Sequence, residues 1–461
     1  MDFDLVVIGA GAAGSSVAAM AVGRGATVAM AEELRVGGTC LNFGCDPTKT
    51  LVRSAEVLHL ARTATRFGLE ITPSGYPAAA ADWPAVRQRI AGIIDTIRGG
   101  DGDQNVRDSG VALFKSHARF RSPHEIEVEG QVLRAAKVVI AAGAATTVPA
   151  IAGLRQAGYI TNVEAVDLPM RPASMVIVGG GVVAVEFAQI FARFGTHVTM
   201  MASQDRILPH EEPELTDALR RVLEDEGIRI ETGVRVNRVE PGPDGKLVTG
   251  ERDGEPVTCR GEHILVATGR APAVAGLNLE AAGIAYDREG IQVDDELRTT
   301  APHIWAVGDV IAGGYPFTHV ASYQAKLVDH NAMSGEAPRH VAYGAVPWVT
   351  FTDPELARVG MTEAEARRAG HEVETGTMAI AGFARAIATD QRDGLIKLVA
   401  ERGSGKLLGG HILAPHGGEM LGELTLAVRL GLPVSAIAET IHPYPTFSDV
   451  VAYAAREIGN N

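Results

Sequence analysis

The chain has 461 residues, 42 of them basic and 56 acidic, for a formal charge of −14; at roughly 150 residues per domain this length suggests about three domains. An apolar share of 46% with 21% charged residues is globular composition, which excludes global disorder, and the excess acid argues against nucleic acid or an anionic membrane as partner. Three cysteines cannot staple a secreted scaffold, no apolar run of ~18 residues appears, and the acidic opening Met1-Asp2-Phe3-Asp4 is unlike a secretory signal, so a cytoplasmic protein without a spanning helix is expected.

Taken in chain order, the first predicted elements are a strand over Phe3-Asp4-Leu5-Val6-Val7-Ile8 and a glycine turn, Gly9-Ala10-Gly11-Ala12-Ala13-Gly14. A small-residue helix then runs to Arg24-Gly25, and a second strand covers Thr27-Val28-Ala29-Met30-Ala31. The same design returns at Met175-Val176-Ile177-Val178, Gly179-Gly180-Gly181-Val182-Val183-Ala184, a helix to Phe194-Gly195, and His197-Val198-Thr199-Met200-Met201. Strand, glycine turn, helix and strand is the order of a dinucleotide-binding βαβ unit. Gly9 and Gly179 permit the tight turn, and Gly11 and Gly181 let backbone approach a pyrophosphate. Gly14 and Ala184 are small enough for helix to pack on strand, and each helix start offers N–H groups to the anion.

The two copies also differ just past their second strands. Twenty-three residues past Gly9 stands Glu32, an acid that bonds ribose hydroxyls and repels a 2′-phosphate, which suits FAD or NAD. Twenty-three past Gly179 stands Ala202, with Ser203 and Arg206 nearby, which leans towards NADPH over NADH; an alanine permissive for both is the alternative.

Between the copies lies Gly37-Gly38-Thr39-Cys40-Leu41-Asn42-Phe43-Gly44-Cys45-Asp46-Pro47-Thr48-Lys49, holding two of the three cysteines, five residues apart. Asp46 is expected to cap, and Pro47 to open, a helix running through Val57 and Leu60. A thiol at Cys45 would then sit at a helix N-terminus, where its pKa falls and it becomes a nucleophile. A metal site or two inert core cysteines are the other readings, though no third or fourth Cys or His stands at ligand spacing. Cys259, alone in a polar stretch, receives no role. Residues 76–84, with their alanine run, read as a loop insertion between helices.

Further strands end in glycine at Val138-Val139-Ile140-Ala141-Ala142-Gly143 and Ile264-Leu265-Val266-Ala267-Thr268-Gly269, and a third, Ile304-Trp305-Ala306-Val307-Gly308-Asp309, ends in an acid. From about Gly344 the pattern changes to a hairpin over 395–400 and 407–413, with helices near 419–430 and 446–458.

The fingerprint, the GGTCxNxGCxPTK run, ATG-R-x-P and the Gly-Asp strand end together resemble the class I flavoprotein disulfide reductases, over essentially the whole chain. The resemblance implies an α/β protein with two Rossmann-like domains, for FAD (1–150 and 272–343) and NAD(P) (151–271), plus an α+β dimerisation domain (344–461) that builds a homodimer. It implies that Gly38, Thr39, Ala118, Gly143 and Asp309 contact FAD and that Gly269 lies on the nicotinamide side. It makes Cys45 the flavin-side thiol, Cys40 the interchange thiol, and Lys49 with Glu186 an ion pair beside the flavin's reactive nitrogen, where charge tunes hydride acceptance.

Two departures set this chain apart. Disulfide-reducing members end in His-Pro-Thr-x-x-Glu, whereas here the run is His442-Pro443-Tyr444-Pro445-Thr446-Phe447-Ser448-Asp449, with Tyr444 five residues before Asp449. Tyrosine, with an ordinary pKa of ~10, is a poor base near neutrality. Mercuric reductases place Tyr there as a metal-site group, but they add a C-terminal cysteine pair, and this chain ends Arg456-Glu457-Ile458-Gly459-Asn460-Asn461. His442 reads either as a solvated loop residue or as a substitute base. Val182 stands where many relatives keep a Tyr over the flavin. The resemblance therefore points to an NADPH-dependent, mercuric-reductase-like enzyme acting through Cys40 and Cys45 on a thiophilic metal ion. A dihydrolipoyl dehydrogenase or glutathione reductase, and a redox sensor without turnover, are the alternatives.

Overall fold

The apolar runs beside the two glycine turns become central strands of two sheets, the first mixed and the second all parallel. A computed structural model of the chain describes residues 1–71 and 79–458. In the first sheet the order is Ala112–Phe114, Val28–Ala31, Phe3–Ile8, Gln131–Ile140, Glu125–Val128 and Arg119–Ser122, with Ile304–Ala306 pairing parallel to Gln131–Ile140. Phe3–Ile8 lies between two parallel neighbours and is buried from Leu5 onward, which is why it reads as an unbroken apolar run. Ile304–Ala306 comes late in the sequence, so the first sheet draws strands from both sides of the second unit.

The second sheet orders Arg229–Glu231, His197–Met201, Ser174–Val178 and His263–Val266, all parallel. An antiparallel ribbon of Arg235–Glu240, Lys246–Arg252 and Glu255–Gly261 lies beside it. The C-terminal part is a five-stranded antiparallel sheet, Pro347–Thr350, Glu355–Gly360, Leu407–Ala414, Leu395–Glu401 and Val373–Ala379. The helices Gly417–Leu430 and Asp449–Glu457 pack on it through Leu421, Leu424, Val450 and Val451. The architecture is α/β with two Rossmann-like units and a C-terminal α+β unit. Among the described residues no helix is long and apolar enough to cross a membrane.

The expected insertion over 76–84 needs correction at its end. Residues 76–78 lie outside the described residues, and Trp83 and Pro84 already belong to the helix Trp83–Arg98. Asp82 caps that helix by accepting from the Ala85 N–H, and Pro84 fills a first-turn position that needs no N–H.

Candidate active site

Each glycine turn is closed by backbone where no side chain fits. A Cβ on Gly9, which has φ +103°, would lie 2.3 Å from the Ala141 oxygen, and one on Gly14 would lie 1.9 Å from the Gly9 oxygen. Gly38 crosses the same turn, where a Cβ would stand 2.7 Å from the Gly11 Cα. In the second unit Gly179 meets the Ala267 oxygen at 2.2 Å in the same sense, whereas Gly181 has open space around it. Both fingerprint helices, Ala12–Gly23 and Val182–Arg193, start without a side-chain cap, so their first N–H groups remain to meet an anion.

Both turns border one continuous cleft of about 2160 Å³, which also reaches Thr39, Gly143, Asp309, Ser203, Arg206 and Gly269. A cleft of this size, with two uncapped glycine cradles on its walls, fits two dinucleotides.

The acids and bases at or near this cleft carry partners that no local pattern signals. Glu32 is nearly buried, and its carboxylate accepts from the Ala10 N–H at 2.7 Å and the Leu34 N–H at 2.8 Å, tying the strand end to the glycine turn. Asp309 pairs with Arg270 at 2.5 Å, and Arg270 also donates to the Ala144 oxygen at 2.6 Å. Arg206, whose place near Ala202 leans towards NADPH, donates to Asp217 at 2.6 Å and to the Pro213 oxygen at 3.1 Å, so part of its charge is already met. Ala118 and Ala202 are buried, as is Ala184. Val182 lines the cleft and is partly exposed.

The thiol segment folds as the short helix Gly38–Phe43, a break at Gly44, and the helix Cys45–Thr63. This corrects the expected start: Gly44 is the N-cap, Cys45 is the first helical residue, and Asp46 and Pro47 lie within the first turn. Glycine suits the break, where the backbone turns to φ −127° and ψ −112° and a Cβ would stand 3.0 Å from the Thr39 oxygen. Cys45 consequently sits at the helix N-terminus with Lys49 one turn on, along the same face. A hydrogen bond shared with Cys40 leads in pulling the Cys45 thiol down to about 6; Thr318 and Lys49 help, against burial and Asp46. The same bond, with burial, pushes Cys40 up. The pair thus holds a thiolate at Cys45 and a thiol at Cys40. Thr318 Oγ1 lies 3.5 Å from the Cys45 sulfur, an arrangement sequence reading missed because 273 residues separate them.

Lys49 Nζ donates to both oxygens of Glu186, at 2.9 and 2.8 Å. Glu186 is 4% exposed and also accepts from the Phe351 N–H at 2.9 Å. Cys259 stands apart, its sulfur 3.2 Å from that of Met201, and burial pushes its thiol up to about 11.

The C-terminal candidates do not reach this site within one chain. Neither Tyr444 nor Asp449 lines the cleft, and Tyr444 is 76% exposed on the C-terminal unit. Asp449 opens the helix Asp449–Glu457. His442 is not the solvated loop residue expected: its side chain is 7% exposed, its Nε2 lies 3.0 Å from Glu423, and its Nδ1 lies 3.0 Å from the Thr440 oxygen. The partner Glu423 comes from the helix Gly417–Leu430, where no motif marks it.

The family model for pyridine nucleotide-disulphide oxidoreductases matches residues 3–325, and that for the dimerisation domain of the same proteins matches 346–455. The chain belongs to the class I pyridine nucleotide-disulphide oxidoreductases. Membership implies FAD and a nicotinamide cofactor, in keeping with the two cradles. A mercuric reductase of Streptomyces lividans is 37% identical, over 98% of this chain and 96% of the relative. A dihydrolipoyl dehydrogenase of Bacillus subtilis is 33% identical, over 98% and 97%. Among solved structures, the Cu(II) complex of the HOCl-induced flavoprotein disulfide reductase RclA from Escherichia coli superposes with a TM-score of 0.87 at 30% identity, covering 99% of both chains. The chain is therefore a flavoprotein oxidoreductase of the disulfide reductase family.

Proposed function

We propose that this flavoprotein takes electrons from NADPH and delivers them, through the Cys40–Cys45 pair, to a thiophilic metal ion or related electrophile. The observation that carries the metal reading is Tyr444, standing where disulfide reduction would need an imidazole. FAD and NADPH, when bound, supply the two-electron hydride chemistry. The chain's own residues do the rest. Gly9, Gly11, Gly14, Glu32, Gly38, Thr39, Ala118, Gly143 and Asp309 would hold FAD. Gly179, Gly181, Ala184, Ala202, Ser203, Arg206 and Gly269 would hold the nicotinamide nucleotide. Lys49, fixed by Glu186, presents positive charge where negative charge develops. Cys45 offers one sulfur donor already ionised, and Cys40 offers a second once its proton leaves. Two thiolates suit a soft metal ion, and a phenol can add an oxygen ligand without any proton shuttle.

Tyr444 and the apolar side chains Leu430, Leu432 and Ile441, all on the C-terminal unit, are exposed. We assign this face to a second copy in a cytoplasmic homodimer, so that Tyr444 of each chain meets the thiol pair of the other, with Asp449 at the base of the same segment. Relatives named mercuric reductase, and a solved relative holding Cu(II), support the metal reading.

His442 supports a second reading. An imidazole held by Glu423 has the make-up of an oriented base, as a dihydrolipoyl dehydrogenase or glutathione reductase requires. A redox sensor would show spectral change without turnover.

An anaerobic NADPH-oxidation panel with Hg(II), Cu(II), oxidised glutathione, lipoamide and quinones separates these readings. Metal-dependent oxidation in excess thiol, weakened in Tyr444→Phe while flavin reduction is kept, is expected. Efficient lipoamide turnover, unchanged in Tyr444→Phe and lost in His442→Ala, would overturn the metal reading.

A further inference from the structure

We propose that Phe351 is a positioning residue that holds the Lys49 ammonium against Glu186 and ties the redox site to the C-terminal sheet. The inference rests on the reading that Lys49 stands beside the flavin. Its ground is that one residue touches both members of the pair. The Phe351 ring centroid lies 4.5 Å from Lys49 Nζ, and the Phe351 N–H donates to Glu186 at 2.9 Å. Lysine is a point charge on a flexible stem, so a carboxylate on one side attracts it without fixing its direction. An aromatic face on another side adds a second attractive wall, because the ring presents its negative quadrupole to the cation.

Phe351 is itself held firmly. It directly follows the strand Pro347–Thr350, which pairs with Glu355–Gly360 in the C-terminal sheet. The helix Val182–Arg193 grips residues 351–353 through three side chains. Glu186 takes the Phe351 N–H. Gln189 accepts from the Asp353 N–H at 2.8 Å and donates to the Asp353 oxygen at 2.8 Å. Arg193 reaches the Asp353 carboxylate at 2.9 Å. Positions 186, 189 and 193 lie along one helix face, so that face aligns the ring, the carboxylate and the ammonium together. Arg193 is itself buried, with Glu226 as its other partner at 2.6 Å.

The test compares Phe351→Leu and Phe351→Met, which remove the ring face but keep apolar bulk and the backbone N–H, with Phe351→Tyr, which keeps the face. The FAD-loaded protein is examined by redox titration and by stopped-flow reduction with NADPH. Leu and Met should move the flavin midpoint potential to more negative values, because the cation is no longer held where the reduced form gains from it. They should slow flavin reduction roughly 3- to 30-fold, the span of an ordinary cation–π contact. Tyr should restore both. A purely structural role would lower thermal stability without separating Tyr from Leu and Met in potential. The inference is overturned if Leu and Met, either of them folded, leave potential and rate unchanged while Lys49→Met shifts them. If Lys49→Met also leaves the potential unmoved, the placement of Lys49 beside the flavin fails first, and the role of Phe351 with it.

Discussion

The two glycine-turn units share a backbone and differ in what closes their second strand. In the first, Glu32 is a nearly buried carboxylate held by two backbone N–H groups; in the second, Ala202 is a buried methyl with Arg206 drawn off to Asp217. The first unit also carries the thiol helix, and the second carries Glu186, which fixes the lysine of that helix. One design is therefore varied by single residues: a buried acid locks the first strand end to its glycine turn, and a neutral methyl leaves the second without that tie.

The largest effect expected is at the thiol that only the first unit possesses. Cys45→Ala should abolish turnover with every acceptor and remove the long-wavelength absorbance that appears on two-electron reduction, while about one FAD per chain stays bound. Loss of FAD in this variant would mean that the thiol helix, not the glycine turn, holds the first cofactor. Alkylation of the reduced protein by iodoacetamide gives the matching pH test. With Cys45 lowered to about 6, its reaction should rise with pH through that value and level off above it, since only the thiolate attacks. In Cys45→Ala the remaining Cys40 should react only in the ordinary thiol range, about 8.5, or higher. A wild-type midpoint at 8.5 or above would show that the shared hydrogen bond does not set the thiolate.

A smaller effect is expected at Glu32. Glu32→Ala leaves the Ala10 and Leu34 N–H groups without their acceptor and loosens the strand end against the FAD-side turn, so FAD affinity by fluorescence titration should fall about 10- to 100-fold, or ~1.4–3 kcal/mol. An unchanged affinity would erase the contrast between the units. The smallest effect concerns the other unit: Ala202→Glu should shift the NADPH-to-NADH ratio of kcat/KM by about tenfold towards NADH, ~1.4 kcal/mol. A wild-type preference for NADH of that size would show that the neutral position does not select the phosphate.

How far each feature was legible follows from how local its cause is. The glycine turns, their strands and the acid at residue 32 were readable because turn, strand and helix lie within about thirty residues and each demands a residue type for its own steric reason. Cys45 was readable as a helix-start thiol, yet its cap was misplaced by two residues, because the chain leaves helical geometry at Gly44 and Asp46 already lies in the first turn. The role assigned to Lys49 and Glu186 came from resemblance; their contact spans 137 residues.

The sequence by itself determined the two nucleotide units, the acidic and neutral ends of their second strands, the thiol pair, and the tyrosine where disulfide-reducing relatives carry histidine. Only the tertiary structure decided which partners each charge receives. Arg270 neutralises Asp309, Asp217 occupies Arg206, Glu423 holds His442, and Thr318 and Phe351 join the thiol and the lysine. These choices are not written locally, because a side-chain contact depends on where separate sheets bring their edges together, and residue type alone is compatible with many partners.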